Sequence, residues 1–185
     1  MLMERLIKAK INKELIILYP YDDNDKCYVG YLQALNDKYY IYSSITPHGK
    51  YDGIFLRENN IMKIECNDLY IQKLNNIILD DIRKENCYSW NETQNLLIQI
   101  FKYVSNKHRI ISIELLNRGY DDVNGFICDW DDEYCHIHKV SEYGLKDGEA
   151  IICLEDISRI SFDSSEEIIL ETLYIKNYPF DIITN

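Results

Sequence analysis

Most of one segment of this chain is written twice. Laying Gly125-Phe126-Ile127 under Gly30-Tyr31-Leu32 brings two stretches into register at an offset of 95 residues. Asp37 then falls on Asp132, Tyr39 on Tyr134, Gly49 on Gly144, and Asp52-Gly53 on Asp147-Gly148. One extra residue enters the second copy. After it Asn60-Ile61 meets Asp156-Ile157, Lys63 meets Arg159 and Ile64 meets Ile160. Two glycines, an Asp-Gly pair and an Ile-x-x-Ile at matched spacing mark a tandem duplication. The chain must therefore find one fold that serves twice. At 185 residues that means two domains, each with room for a modest core.

The local pattern within a copy is short helix, then strands. Residues 2–11 can place Leu2, Leu6, Ile7 and Ile11 on one helical face. Glu14 to Tyr19 is an apolar run ended by Pro20, the pattern of a strand. Cys27–Leu35 and Tyr39–Ser44 read as strands joined at Asn36-Asp37, a compact hairpin signal. Ile54–Arg57 and Ile61–Ile64 add two more, turning through Glu58-Asn59-Asn60. Leu69 to Ile82 closes the first copy as a helix or long strand, and Arg83-Lys84-Glu85-Asn86 marks the boundary. The expected domains are thus 1–86 and 87–185. Ser89-Trp90-Asn91-Glu92 has the spacing of a capping box, with Leu96, Leu97, Ile100, Phe101 and Val104 on one face behind it. It predicts a helix over 89–106, leading into a strand over 110–115. Residues beyond the second barrel read as a tail.

A helix followed by five strands in about 70 residues, with glycine in the second strand, resembles the Sm-like fold, a small SH3-like barrel. Leu56-Arg57-Glu58-Asn59-Asn60-Ile61 resembles that family's second motif, and Gly30-Tyr31-Leu32 its first. The resemblance spans residues 2–67 and 89–163. It implies a mainly β chain with short helices: two tandem five-stranded bent antiparallel barrels, each preceded by a helix. The Asp-Gly repeat also resembles uncharacterised tandem-barrel proteins of low-GC bacteria. A family of this kind implies RNA binding, which in the first copy would fall to Lys38, Tyr40, Arg57 and Asn60. The family's pocket pattern of Asp, aromatic, Asn and Arg-Gly is not reproduced. Counted from Gly30, its first three positions hold Asn36, Lys38 and Tyr40; in the second copy they hold Asp131, Glu133 and Cys135. Glu58 replaces the Gly.

Charge separates the two halves. Of a formal net charge of −11, residues 1–90 carry 12 basic against 13 acidic side chains and residues 91–185 carry 8 against 18. Phosphate contacts supply most non-specific nucleic-acid affinity, so the second half should repel RNA and attract a basic partner. Its carboxylates cluster around aromatics, at Tyr120-Asp121-Asp122 and at Asp129-Trp130-Asp131-Asp132-Glu133-Tyr134. Trp130 either anchors a partner or turns into the core as the counterpart of Leu35. The function expected is protein–protein interaction with a basic partner, and a neutralising, immunity-type role would suit that charge. RNA binding through the first repeat is the alternative.

Other classes find little support. There is no P-loop, G-x-G-x-x-G, G-x-S-x-G or H-E-x-x-H, so no enzyme and no cofactor are expected. Cys135-His136-Ile137-His138 has metal-ligand character, with both histidines on one face of a strand. Two more ligands would be needed, from Cys128 or Asp129, and the matching first-copy residues Ile41 and Ser43 cannot ligate, so no metal is expected. Six scattered cysteines without C-x-x-C suit a reducing cytoplasm. The first eight residues are too interrupted by charge for a secretory signal, and no apolar run approaches a membrane span. Abundant Ile, Asn, Lys and Tyr point to a bacterium with an AT-rich genome.

Overall fold

The computed structural model describes residues 1–21, 26–78, 88–116 and 123–179. These form a mainly β chain of ten strands and four α-helices, in two compact units, Met1–Leu96 and Leu97–Asn185. The division falls ten residues beyond the one expected from Arg83–Asn86. No described helix is long and apolar enough to cross a membrane.

In the first unit α1 (Leu2–Ile11) precedes β1 (Leu15–Pro20), β2 (Tyr28–Leu35), β3 (Tyr39–Ile45), β4 (Tyr51–Glu58) and β5 (Ile61–Cys66), and α2 (Leu69–Ile77) follows. The strands pair antiparallel in the order β5-β1-β2-β3-β4. Helices cover both faces of this sheet, which is why Leu15-Ile16-Ile17-Leu18 is apolar without alternation. Odd and even positions point opposite ways along a strand. Ile16 and Leu18 join Leu32, Tyr40 and Tyr42 under Leu6 and Ala9 of α1. Leu15 and Ile17 join Tyr31 and Ile45 under Ile71 and Leu74 of α2. Asp68 starts α2 by accepting the Ile71 N–H at 2.7 Å, which satisfies one of the four donors that a helix N-terminus leaves free.

The second unit repeats the plan: α3 (Leu96–Lys107), β6 (Ile111–Leu115), β7 (Val123–Trp130), β8 (Tyr134–Val140), β9 (Lys146–Cys153), a 3-10 turn (Leu154–Asp156), β10 (Ile157–Phe162) and α4 (Ser165–Asn177). Its strand order is β10-β6-β7-β8-β9, the same as the first. The ladder irregularities recur at matched places. The β2–β3 register slips between Leu32 and Ala34 and the β7–β8 register between Ile127 and Asp129. The slips between Ser43 and Ile45 and between His138 and Val140 correspond in the same way. Such bulges sharpen local twist and bend a strand. Gly30 and Gly125 are needed for a common reason: a Cβ on either would lie 2.1 Å from a carbonyl oxygen of the next strand, Ser43 or His138.

Two expectations require correction. The Ser89 helix does not begin at Ser89. Residues 88–95 are irregular and α3 starts at Leu96, because Glu92 is recruited elsewhere: its carboxylate takes the Leu35 N–H at 2.6 Å and pairs with Lys10. The segment read as a tail contains the 13-residue helix α4, opened by a true capping box of Ser164 and Glu167. In addition, each sheet is an open ladder among the described residues, with no pairing of β4 to β5 or of β9 to β10.

Candidate functional site

The acidic end of the second unit is built on the β7–β8 hairpin. Asp131 shapes its turn: one carboxylate oxygen accepts the Glu133 N–H at 2.8 Å and the Tyr134 N–H at 2.7 Å. The N–H groups of Tyr134 and Glu133 hold that carboxyl below the usual carboxylate range, since both bonds favour its ionised form. Asn36 does the same work in the first unit, accepting from Lys38 at 3.0 Å and Tyr39 at 2.8 Å. Asp129 accepts the Trp130 N–H at 2.9 Å. Asp129, Asp131, Asp132 and Glu133 are all exposed. The Trp130 ring is half-buried, 5.9 Å from that of Phe101 on α3, so it lies against the helix. Tyr120, Asp121 and Asp122 lie outside the described residues.

The structure adds two carboxylates to this end. The Leu154 N–H donates to the Glu133 carbonyl at 2.8 Å, tying the 3-10 turn to the hairpin and bringing exposed Glu155 and Asp156 beside it. The corresponding tie in the first unit runs from Asn59 N–H to the Lys38 carbonyl at 2.8 Å. The two ends therefore share a backbone and differ in charge. Asn36, Asp37, Lys38, Glu58, Asn59 and Asn60 sum to −1, whereas Asp131, Asp132, Glu133, Cys153, Glu155 and Asp156 sum to −5. Asn60 over Asp156 is visible in the repeat alignment, and following it would have exposed the second acidic turn from sequence.

The four residues expected for RNA are not presented together. Lys38 is exposed and Asn60 partly buried. Tyr40 is fully buried under α1. Arg57 is 3% exposed, donates to the Tyr28 hydroxyl at 2.8 Å and stacks over that ring at 4.5 Å. Tyr40 and Arg57 are ladder partners on β3 and β4 and both point inward.

A second cluster sits on β8 and β9. His136 and His138 share a face, and Glu149 stands directly opposite His138 in the ladder. The Glu149 carboxylate reaches His136 Nε2 at 3.1 Å and His138 Nε2 at 3.4 Å. The imidazoles meet edge to face with centroids 5.4 Å apart. Glu149 comes from the following strand rather than the preceding one, where Asp129 stands opposite His136 and accepts the Trp130 N–H through one oxygen. Cys135 points to the other side, fully buried, and burial pushes its thiol up to about 12. Desolvation likewise raises the thiols of Cys66 and Cys128. The chain matches no protein-family model, no curated protein and no solved structure.

Proposed function

We propose that this protein is a cytoplasmic, non-catalytic interaction module of two Sm-like small barrels, whose second repeat presents an acidic end to a basic partner. The observation carrying this reading is the paired-turn surface. The turns tied by the same backbone bond in both units carry a net charge of −1 in one and five carboxylates in the other. An acidic face of that density speeds encounter with a basic surface and repels nucleic acid. The order of helix, five antiparallel strands and close-approach glycine supports the Sm-like assignment. Free thiols at Cys27, Cys66, Cys128, Cys135 and Cys153 suit a reducing compartment. Desolvation raises the thiols of Cys66, Cys128 and Cys135, the opposite of the depression that an activated nucleophile needs. A neutralising role toward a basic protein fits this charge. RNA binding through the first repeat has less support, because Tyr40 and Arg57 are engaged in packing.

The test uses the full chain as bait for proteins of its own cell extract, beside a variant carrying Asp132→Lys, Glu133→Lys, Glu155→Lys and Asp156→Lys. A basic protein retained by the wild type, lost by the variant and eluted by moderate salt is the expected result. Asp131 is left intact because it forms the turn. Retention that ignores both salt and the substitutions would sink the reading, as would salt-dependent retention of the wild type on immobilised RNA.

A further inference from the structure

We propose that His136, His138 and Glu149 form a site for a zinc-class divalent cation on the second unit. Around a cation bound at about 2.1 Å, tetrahedral ligands stand roughly 3.4 Å apart. The Glu149 oxygens already lie 3.1 and 3.4 Å from the two Nε2 atoms, and the three ligand atoms fall within 4.8 Å of one another. Their relative positions are set by the sheet. His136 and His138 are two residues apart on one strand, and Glu149 is the ladder partner of His138. Imidazole and carboxylate together suit zinc and its neighbours.

The duplication strengthens the case. At the matched first-unit positions stand Ile41, Ser43 and Ile54, each at most 1% exposed. Three positions at one spot have all become ligating residues in a single copy. They are also accessible, with side-chain exposures of 33%, 59% and 62% for His136, His138 and Glu149. The fourth position is left to water. Cys128 is engaged elsewhere: its thiol donates to the Phe126 carbonyl at 3.5 Å.

Binding is tested on the reduced full chain with Zn2+ alone, by calorimetry and by NMR of the histidine rings. About one Zn2+ per chain is expected, with the His136 and His138 ring signals shifting together while those of His48 and His108 stay. Losing an outer partner of a ligand costs about 10–100-fold in affinity, so His138→Ala and Glu149→Gln should each weaken binding at least about tenfold. Cys128→Ser should leave it unchanged. No binding, binding that survives His136→Ala/His138→Ala, or shifts confined to His48 or His108 would overturn the proposal. The ring signals of the wild type decide the matter even if a variant folds poorly.

Discussion

The two units solve one packing problem in opposite ways. Under α2, Ile17 of β1 meets Ile71 in a cluster of aliphatic side chains and Tyr31. At the matching place under α4 stand Ser112 and Glu167. Glu167 is 1% exposed. One of its oxygens accepts from Ser112 at 2.6 Å and from Ser161 at 2.8 Å, and the other from the Ser164 N–H at 2.9 Å. A sheet with the same register thus accommodates an aliphatic pair or a carboxylate with three donors. At the pair itself, dispersion and water exclusion suffice for the first solution and complete hydrogen bonding for the second.

That contrast can be broken most sharply at Glu167. Glu167→Ala strands two buried donors, at Ser161 and Ser164, and the half-buried Ser112 hydroxyl, and should cost about 3 kcal/mol or more, read as a lowered denaturation midpoint. Ser112→Ile with Glu167→Ile, which installs the first unit's pair, should cost less than Glu167→Ala alone. A double variant that is the worse of the two would show that the surroundings, rather than the pair, decide which solution works.

Glycine gives the next largest effect. Gly144 and Gly49 both have positive φ, +70° and +72°. A Cβ at Gly144 would meet α4 backbone, at 2.7 Å from both Leu173 C and Tyr174 N, whereas at Gly49 the nearest atom, at 2.8 Å, belongs to the Ile77 side chain. Each Ala variant carries the backbone strain. Gly144→Ala adds a clash that cannot rotate away, on the scale of 1–3 kcal/mol typical of overpacking, roughly. Equal losses at the two sites would mean that α4 shifts as readily as a side chain.

Caps come third. Asp68→Ala and Ser164→Ala should each cost about 1 kcal/mol, while Ser89→Ala should leave the midpoint where it is. A clear loss at Ser89 would return the helix start to that residue.

The smallest effect is in acid. Glu14 is held low by hydrogen bonds from Asn12 and Arg5, so its contribution is present above its ordinary 4.5 and is lost as pH falls through the lowered folded value. Glu171 is raised by desolvation, despite the Ile110 N–H at 2.8 Å and Arg109. Its charge is a burden above the raised value, and the burden lifts as pH falls toward 4.5. Glu171→Gln should flatten the stability profile just above that pH, and Glu14→Gln just below it. A variant that changes nothing in its window refutes the assignment for that unit.

Much of the fold was legible from the repeat. The strand over Tyr39–Ser44 is observed at Tyr39–Ile45 and that over Ile61–Ile64 at Ile61–Cys66, because alternation and turn residues act locally. The caps show where reading stops. Ser-x-x-Glu occurs at Ser89 and at Ser164, and sequence cannot say that Glu92 answers to Lys10 and Leu35. Helix α4 was missed because Ile168, Ile169 and Ile175 face outward, blurring the apolar stripe. The histidine cluster was half legible: two residues of one strand share a face by rule, but the third comes from a neighbour whose register only the paired sheet defines.

The engagement of Glu92 also says where the first copy could be cut free. A fragment ending at residue 86 would lose the acceptor for the Leu35 N–H and the counter-charge of Lys10, although it contains all five strands of its unit. The eight residues from Tyr88 to Asn95 act as a strap that belongs to what precedes them. A gene fragment meant to express that half alone must run through Leu96.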